Sequence, residues 1–101
     1  MTDPRWDMLD TARSAVRAEL ADKGVARVDY VAALPDPNVW VWLGTQTDAQ
    51  RDTLATANDL LAQVRRVLAQ EVTGIDVTGV TVQSEETVKR DYEGSWFYAM
   101  R

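Results

Sequence analysis

Cysteine and histidine are both absent from this sequence of 101 residues. Without cysteine, the chain has no disulfide bond, no thiolate metal site and no cysteine nucleophile. Without histidine, it lacks the usual general base of serine and cysteine hydrolases and the commonest zinc ligand. A phosphate-binding glycine loop and a nucleophile elbow are missing as well. These absences predict a protein that is not an enzyme and that binds no cofactor and no metal.

Long apolar segments are also missing. The longest uninterrupted apolar run has five residues, whereas a membrane-spanning helix needs about 20. The formal net charge is −5, so the electrostatic field of the chain repels phosphate backbones and anionic lipids. These features predict a soluble cytoplasmic domain with no membrane partner and disfavour a nucleic-acid partner. Nine arginines against two lysines indicate a GC-rich bacterial genome.

Two short apolar runs of high strand propensity, residues 25–34 and 39–44, occupy the middle of the chain. The segment between them, Pro35-Asp-Pro-Asn38, favours a reversal, so we predict a β-hairpin. A register in which Leu34 faces Val39 divides the side chains between two faces. One face would carry Tyr30, Ala32, Val41 and Leu43, and the other Val31, Ala33, Trp40 and Trp42. Because both faces are apolar, each needs a cover.

Two amphipathic helices are predicted around the hairpin. The first spans about residues 4–23 and is capped at its start by Asp3. The second begins with a capping box at Thr47 and is closed by Gly74. Its apolar residues recur at helical spacing: Leu54, Ala57, Leu61, Val64 and Leu68. At 1.5 Å per residue this stripe is about 21 Å long, so the second helix can cover one face of the hairpin.

The last third of the chain is predicted to contain a further strand, followed by a segment that fits more than one secondary structure. Residues 75–83 have strand character, but their alternation changes phase, and a bulge at Gly79 would restore a single apolar face. Residues 84–94 fit either a short capped helix or a strand, and residues 95–101 fit a terminal strand. The element order is α-β-β-α-β-(β). It predicts one α+β domain over residues 1–101, an antiparallel or mixed sheet with two helices packed on one face.

This element order resembles that of the minimal K-homology fold. The resemblance implies an alternative function as an RNA- or ribosome-associated module. The RNA-clamping loop of that family has the form Gly-x-x-Gly, which does not occur in this chain. Three pairs of basic residues could meet to bind RNA, although scattered arginines on helix surfaces are the ordinary case. These pairs are Arg13 with Arg17, Arg65 with Arg66, and Lys89 with Arg90.

The second face of the hairpin holds the main functional signal. Either aromatic residues near the C-terminus cover Trp40 and Trp42, or a protein partner does, since tryptophan and tyrosine are enriched at interfaces. The sequence therefore predicts a non-catalytic protein-interaction domain. It would act as a homodimer or as the acidic, inhibitor-type partner of a basic protein. The predicted contact residues are Trp40, Trp42, Trp96 and Tyr98, with Asp7 and Asp10 as weaker candidates.

Overall fold

The computed structural model describes residues 3–100, which form five helices and one three-stranded sheet. The helices are α1 (Arg5–Glu19), α2 (Asp48–Ala55), α3 (Leu60–Glu71), α4 (Glu85–Asp91) and α5 (Trp96–Ala99). The strands are β1 (Val25–Ala32), β2 (Asn38–Thr45) and β3 (Asp76–Ser84). Strand β2 is central, antiparallel to β1 and parallel to β3. The predicted α+β class with a mixed sheet is confirmed.

The hydrophobic core lies between one face of the sheet and the helices. Helices α1 and α3 pack against each other and against this face, while α2 leads from β2 into α3. The core residues are buried, and each contributes about 1.5–3 kcal/mol by leaving water. From the sheet they include Val28, Val39, Val41, Leu43 and Val77, and from the helices Leu9, Val16, Leu54, Val64 and Leu68.

The first helix is shorter than predicted. It ends at Glu19, and Ala21–Lys23 form a separate 3-10 turn. Gly24 then has a φ of 90°, a left-handed conformation that glycine adopts without a steric penalty. The Asp3 Oδ1 accepts the backbone N–H of Arg5 at 2.9 Å, as a capping carboxylate would, but the helix begins at Arg5 and Pro4 occupies the N-cap position instead of the predicted first helical position. Residues 1, 2 and 101 of the predicted domain lie outside the described residues.

The hairpin register differs from the prediction by two residues. Ala32 pairs with Val39, and Val31 pairs with Trp40. The predicted partners, Leu34 with Val39, were wrong because the turn extends further into the first run: the N–H of Asp36 donates to the Ala33 carbonyl at 3.0 Å. A shift of two residues leaves each side chain on its own face. The two predicted faces therefore persist with different neighbours.

The predicted second helix is two helices. Helix α2 begins with the predicted capping box at Thr47 and ends at Ala55, and α3 begins at Leu60. The intervening residues 56–59 include threonine, asparagine and aspartate, whose side chains compete for backbone hydrogen bonds. The Thr56 hydroxyl does so by donating to the Thr53 carbonyl at 2.8 Å. The break turns α3 so that Leu60 is buried while Leu61 is only partly buried.

The predicted bulge in the third strand is confirmed. Val39 pairs with Val77 and the next residue, Trp40, pairs with Gly79, so Thr78 is the extra residue. The bulge moves the strand by one residue. As a result Val80 and Val82 pack against the same core as Val77.

The C-terminal region is helical. Residues 84–94, which the sequence left open, contain α4, whose first turn is capped by the Ser84 hydroxyl. The predicted terminal strand over residues 95–101 is wrong for the described part, because Trp96–Ala99 form α5. Glu93 and Gly94 both have positive φ angles, 54° and 81°. This left-handed turn directs the chain away from an extended path along the sheet.

Candidate contact surface

The side of the sheet opposite the helices is the candidate site. We call it the open face. Its side chains alternate with the core residues along all three strands. They are Arg27, Asp29 and Val31 of β1, Trp40 and Trp42 of β2, and Thr81 and Gln83 of β3.

Trp40 is held flat on this face by two neighbours in β3. Its indole crosses Gly79 so closely that a Cβ on that glycine would lie 2.3 Å from the Trp40 Cη2 atom. The indole Nε1 donates a hydrogen bond to Thr81 Oγ1 at 2.7 Å. Trp40 is nevertheless 41% exposed. One ring surface is therefore fixed in place and directed to solvent.

The apolar surface continues from Trp40 to its neighbours near the hairpin turn. Val31 pairs with Trp40 across the strands and is 48% exposed. Trp42 is partly buried and pairs with Asp29. This end of the open face, which we call the turn end, borders a groove that Trp40 and Gly79 line together with residues of the α2–α3 junction, among them Ala57 and Leu60.

The opposite end of the open face is covered by α5. The Trp96 ring fills the space above Gly44, where a Cβ would lie 2.8 Å from the Trp96 Cη2 atom. The Arg27 guanidinium carbon lies 4.8 Å from the Trp96 ring centroid, a cation–π arrangement. The indole Nε1 donates to Glu85 Oε2 at 2.7 Å. Trp96 is 8% exposed, so it serves as the anchor of α5.

Helix α5 carries two exposed aromatic residues of its own. Phe97 is 70% exposed and Tyr98 is 58% exposed, and their ring centroids are 5.7 Å apart. Four of the five exposed large hydrophobic residues within residues 3–100 belong to the open face or to α5, and the fifth is Met8 of α1. Such clustering on one side of a small domain is typical of a contact surface.

Arg13 occupies the outer edge of the sheet beside β1. Its guanidinium carbon lies 5.5 Å from the centroid of Tyr30, which faces the helices. Its Nη1 lies 3.9 Å from Oδ1 of Asp29, which faces the other way. The Arg13 side chain therefore passes the edge of β1. Burial raises the pKa of Tyr30 to about 12, although the Arg13 charge acts in the opposite direction.

The edge beside β3 is also occupied. The Arg65 Nε donates to the Val77 carbonyl at 2.9 Å, and the bulge at Thr78 interrupts the strand next to it. Side chains and bulges at sheet edges oppose the addition of a strand from another chain. The sheet is thus better suited to contact through its open face than through its edges.

A polar cluster that the sequence analysis missed joins the starts of α2 and α4. The Asp48 carboxylate accepts hydrogen bonds from the hydroxyls of Ser84 and Thr87, the latter at 2.7 Å. Arg90 and Arg51 lie 3.2 and 3.4 Å from it. The Ser84 and Thr87 hydrogen bonds, followed by the Arg90 contact and the Arg51 charge, lower the pKa of Asp48 to about 2.

This cluster has a structural role, because it connects the start of α2 to α4. Ser84 is fully buried, and its hydroxyl already caps α4 and contacts Asp48. The base beside this hydroxyl is the Asp48 carboxylate, whose low pKa of about 2 makes it too weak to activate a serine, and burial keeps a substrate away from it. Each helix start can be recognised in the sequence, but 36 residues separate Asp48 from Ser84, and no local pattern indicates that they meet.

The weaker acidic candidates lie on α1. Asp7 is exposed, and Asp10 contacts Arg13 at 3.2 Å. Within residues 3–100, no group of three or more acidic side chains is arranged to hold a metal ion. In the same part of the chain, no helix combines the length and the apolar character needed to cross a bilayer.

Arg65, Arg66 and Arg90, which belong to two of the three basic pairs, have separate structural partners. Arg66 contacts Glu19 at 3.0 Å, and Arg65 donates to the Val77 carbonyl at 2.9 Å. Arg90 contacts Asp48. These contacts hold the basic residues at different helix junctions.

Comparison with protein-family models, with curated proteins and with solved structures gave no match for this chain. The functional argument therefore depends on the chemistry and geometry of the open face.

Proposed function

We propose that this chain is a non-catalytic protein-interaction domain whose contact surface is the open face together with α5. The observation that supports this proposal best is the clustering of exposed apolar side chains. Val31, Trp40, Phe97 and Tyr98 all belong to this side of the molecule. Large apolar side chains in contact with water are costly, and soluble domains retain groups of them mainly where a partner covers them.

The fixed position of Trp40 supports the same proposal. Its ring is held by the backbone at Gly79 and by the Thr81 hydroxyl. A partner that packs on this ring need not first restrict its rotation, so little side-chain entropy is lost on binding. Exposed tryptophans of this kind are frequent binding hot spots.

The non-catalytic part of the proposal follows from the use of the polar groups. The polar groups of the cluster around Asp48 already form hydrogen bonds and ion pairs with one another between α2 and α4. The alternative function in RNA binding would draw in part on Arg65, Arg66 and Arg90, which already form contacts within the chain. The RNA-clamping loop of the K-homology family has the form Gly-x-x-Gly. The loop at residues 56–59, which joins α2 and α3, contains no glycine.

Affinity capture from cells that express the chain tests the proposal. The baits are the wild-type chain, Val31→Lys on the open face, and Met8→Lys on α1 as the control. Each variant adds one positive charge at an exposed apolar position. We expect the wild type and Met8→Lys to retain the same protein, including the native copy of the chain itself, and Val31→Lys to lose it. Equal retention by all three baits, or by none, would contradict the proposal.

A further inference from the structure

We infer that α5 is a releasable cap on the open face. Residues 95–100 detach as a unit from the end near Gly44, while the sheet and helices α1 to α4 stay folded. In the closed state the Trp96 ring covers that end, and in the open state the end is accessible. The inference does not depend on the proposed function, because it concerns an equilibrium between two states of this chain and not the identity of a partner.

The packing of α5 is separate from the main hydrophobic core. Val88, Trp96 and Ala99 are buried together in a small cluster, and the main core cluster contains none of them. Trp96 and Ala99 are the buried residues of α5, whereas its other two residues are 70% and 58% exposed in the closed state. Segments with few buried apolar contacts open at a lower free-energy cost than the core. Release of α5 therefore uncovers two buried side chains and leaves the main core intact.

The backbone of α5 makes its hydrogen bonds locally. The N–H groups of four residues donate to carbonyls within residues 88–96, namely those of Gly94, Ser95, Ala99 and Met100. The Ser95 hydroxyl caps the start of the helix. These hydrogen bonds can persist when α5 moves away from the sheet, so its release does not require the strands to separate.

The Trp96 side chain connects α5 to the sheet. Its ring lies over Gly44 and faces the Arg27 guanidinium, and its indole N–H donates to Glu85. A groove of about 310 Å³, lined in part by Gln46, borders the ring, so the packing around it is open on that side. Separation of this one ring from its place above Gly44 therefore frees α5 from the sheet. The open face then runs without interruption from the turn end to Gly44.

Glu93 and Gly94 form the hinge of the cap. Gly94 has a φ of 81°, and a Cβ at this position would meet no atom within 4 Å, so the backbone can rotate there without a collision. Glu93 has a φ of 54°, a left-handed conformation that costs free energy for a residue with a side chain. Rotation at this residue on release relieves the strain, which favours the open state.

Thiol reactivity measures the release, because the chain contains no cysteine of its own. Ala99→Cys places one thiol in α5, and Ala12→Cys, the matched control, places one in the main core, where Ala12 is 0% exposed. Both variants are reacted with an aromatic disulfide reagent at urea concentrations below the unfolding midpoint. We expect Ala99→Cys to react at least about 100-fold faster without urea and to depend only weakly on urea, because local opening exposes little surface. Equal rates, or an equally steep dependence on urea, would overturn the inference.

Adding Gly44→Ala to the Ala99→Cys chain distinguishes release from static exposure of residue 99. The new Cβ would lie 2.8 Å from the Trp96 ring, so it disfavours the closed state, and we expect the thiol to react at least about tenfold faster. Gly79→Ala is the matched control, because its Cβ would meet the Trp40 ring at the other end of the open face. We expect it to leave the rate at residue 99 unchanged. No increase with Gly44→Ala, or the same increase with both substitutions, would overturn the inference.

Circular dichroism identifies variants that fail to fold. If Ala12→Cys does so, Val16→Cys replaces it, because Val16 is also 0% exposed. If Gly44→Ala does so, Arg27→Ala replaces it, and loss of the cation–π contact should raise the rate at residue 99 about threefold. An unchanged rate in Arg27→Ala would then overturn the inference.

The unaltered chain provides an independent measurement. Exchange of the Trp96 indole N–H with solvent deuterium can be followed by NMR at increasing urea concentrations. We expect this exchange to depend on urea more weakly than that of the Leu43 backbone amide in β2, because Leu43 belongs to the main core. The same urea dependence for both groups would show that α5 opens only when the whole chain unfolds, which would overturn the inference.

Discussion

At the scale of single residues, two glycines determine where the tryptophans of the open face lie. Gly79 leaves room for the Trp40 ring, and Gly44 leaves room for the Trp96 ring. Neither glycine has a positive φ angle, so the absence of a side chain is what matters at both positions. The aromatic surface therefore depends on residues that carry no side chain of their own.

We expect Gly79→Ala to displace the Trp40 ring. The new Cβ would lie within 2.3 to 2.7 Å of three ring carbons, and relief of this overlap should lower the free energy of unfolding by about 1–3 kcal/mol. The displaced indole would lose its hydrogen bond to Thr81 and contact more water. Urea unfolding and the wavelength of tryptophan emission measure the two effects, and we expect a shift to longer wavelength.

Gly94→Ala is the matched control. An added Cβ at Gly94 meets no atom within 4 Å, but the residue has a φ of 81°. This substitution should cost about 1 kcal/mol from backbone strain and leave the tryptophan emission unchanged. Full stability and unchanged emission in Gly79→Ala would contradict the tight contact between Trp40 and Gly79.

At the scale of secondary-structure elements, the starts of α2 and α4 support each other. The backbone N–H of Asp48 donates to Glu86 Oε1 at 2.8 Å, and the N–H of Glu86 donates to the Gln46 carbonyl at 3.1 Å. A carboxylate near helix N-termini is favoured by the unpaired N–H groups there. The cluster thereby fixes α4, and with it the position from which the chain continues to α5.

The Asp48→Asn variant should show that the contact between the starts of α2 and α4 depends on the Asp48 charge. Hydrogen bonds from Ser84 and Thr87 lower the pKa of Asp48 to about 2 from the ordinary value of 3.8. Its stabilising effect is therefore complete above pH 3.8 and is lost as the pH falls through about 2. We expect Asp48→Asn to be less stable than the wild type at pH 7 and the difference to shrink towards pH 2. Urea unfolding across this pH range measures it.

Asp52→Asn is the control for the same helix. The Asp52 side chain is 70% exposed and contacts Arg51 at 3.0 Å, so its removal should change stability little at neutral pH. A difference between wild type and Asp48→Asn that stayed constant from pH 7 to pH 2 would contradict the charge-based explanation.

At the scale of the whole molecule, the exposed aromatic residues and several of the basic residues lie in different places. The exposed aromatic residues lie on the open face and α5, whereas several basic residues are held in contacts at helix junctions. Nucleic-acid binding needs basic groups that are free to contact phosphates. These contacts and the net charge of −5 lead us to expect weak binding to RNA.

Accordingly, we expect no retention of single-stranded or structured RNA in a filter-binding assay at low salt with about 50 µM protein. A basic RNA-binding protein of similar size serves as the positive control. Retention that weakened steeply with added salt would contradict this expectation and favour the K-homology-like alternative.

Patterns within one element were predicted reliably. The strand character of both hairpin runs, the capping box at Thr47 and the bulge in β3 all follow from spacings of a few residues. Local backbone preferences and apolar periodicity are sufficient to determine such features. The break after α2 was missed because its apolar spacing continues across the interruption.

The sequence by itself determined the α+β class, the two apolar faces of the hairpin and the lack of cysteine and histidine chemistry. Only the tertiary structure decided that α5, and not a strand, covers the Gly44 end, and that Trp40 stays exposed at the other end. The reason is physical. Periodicity records which side chains avoid water, whereas the choice of cover depends on contacts between residues distant in the chain.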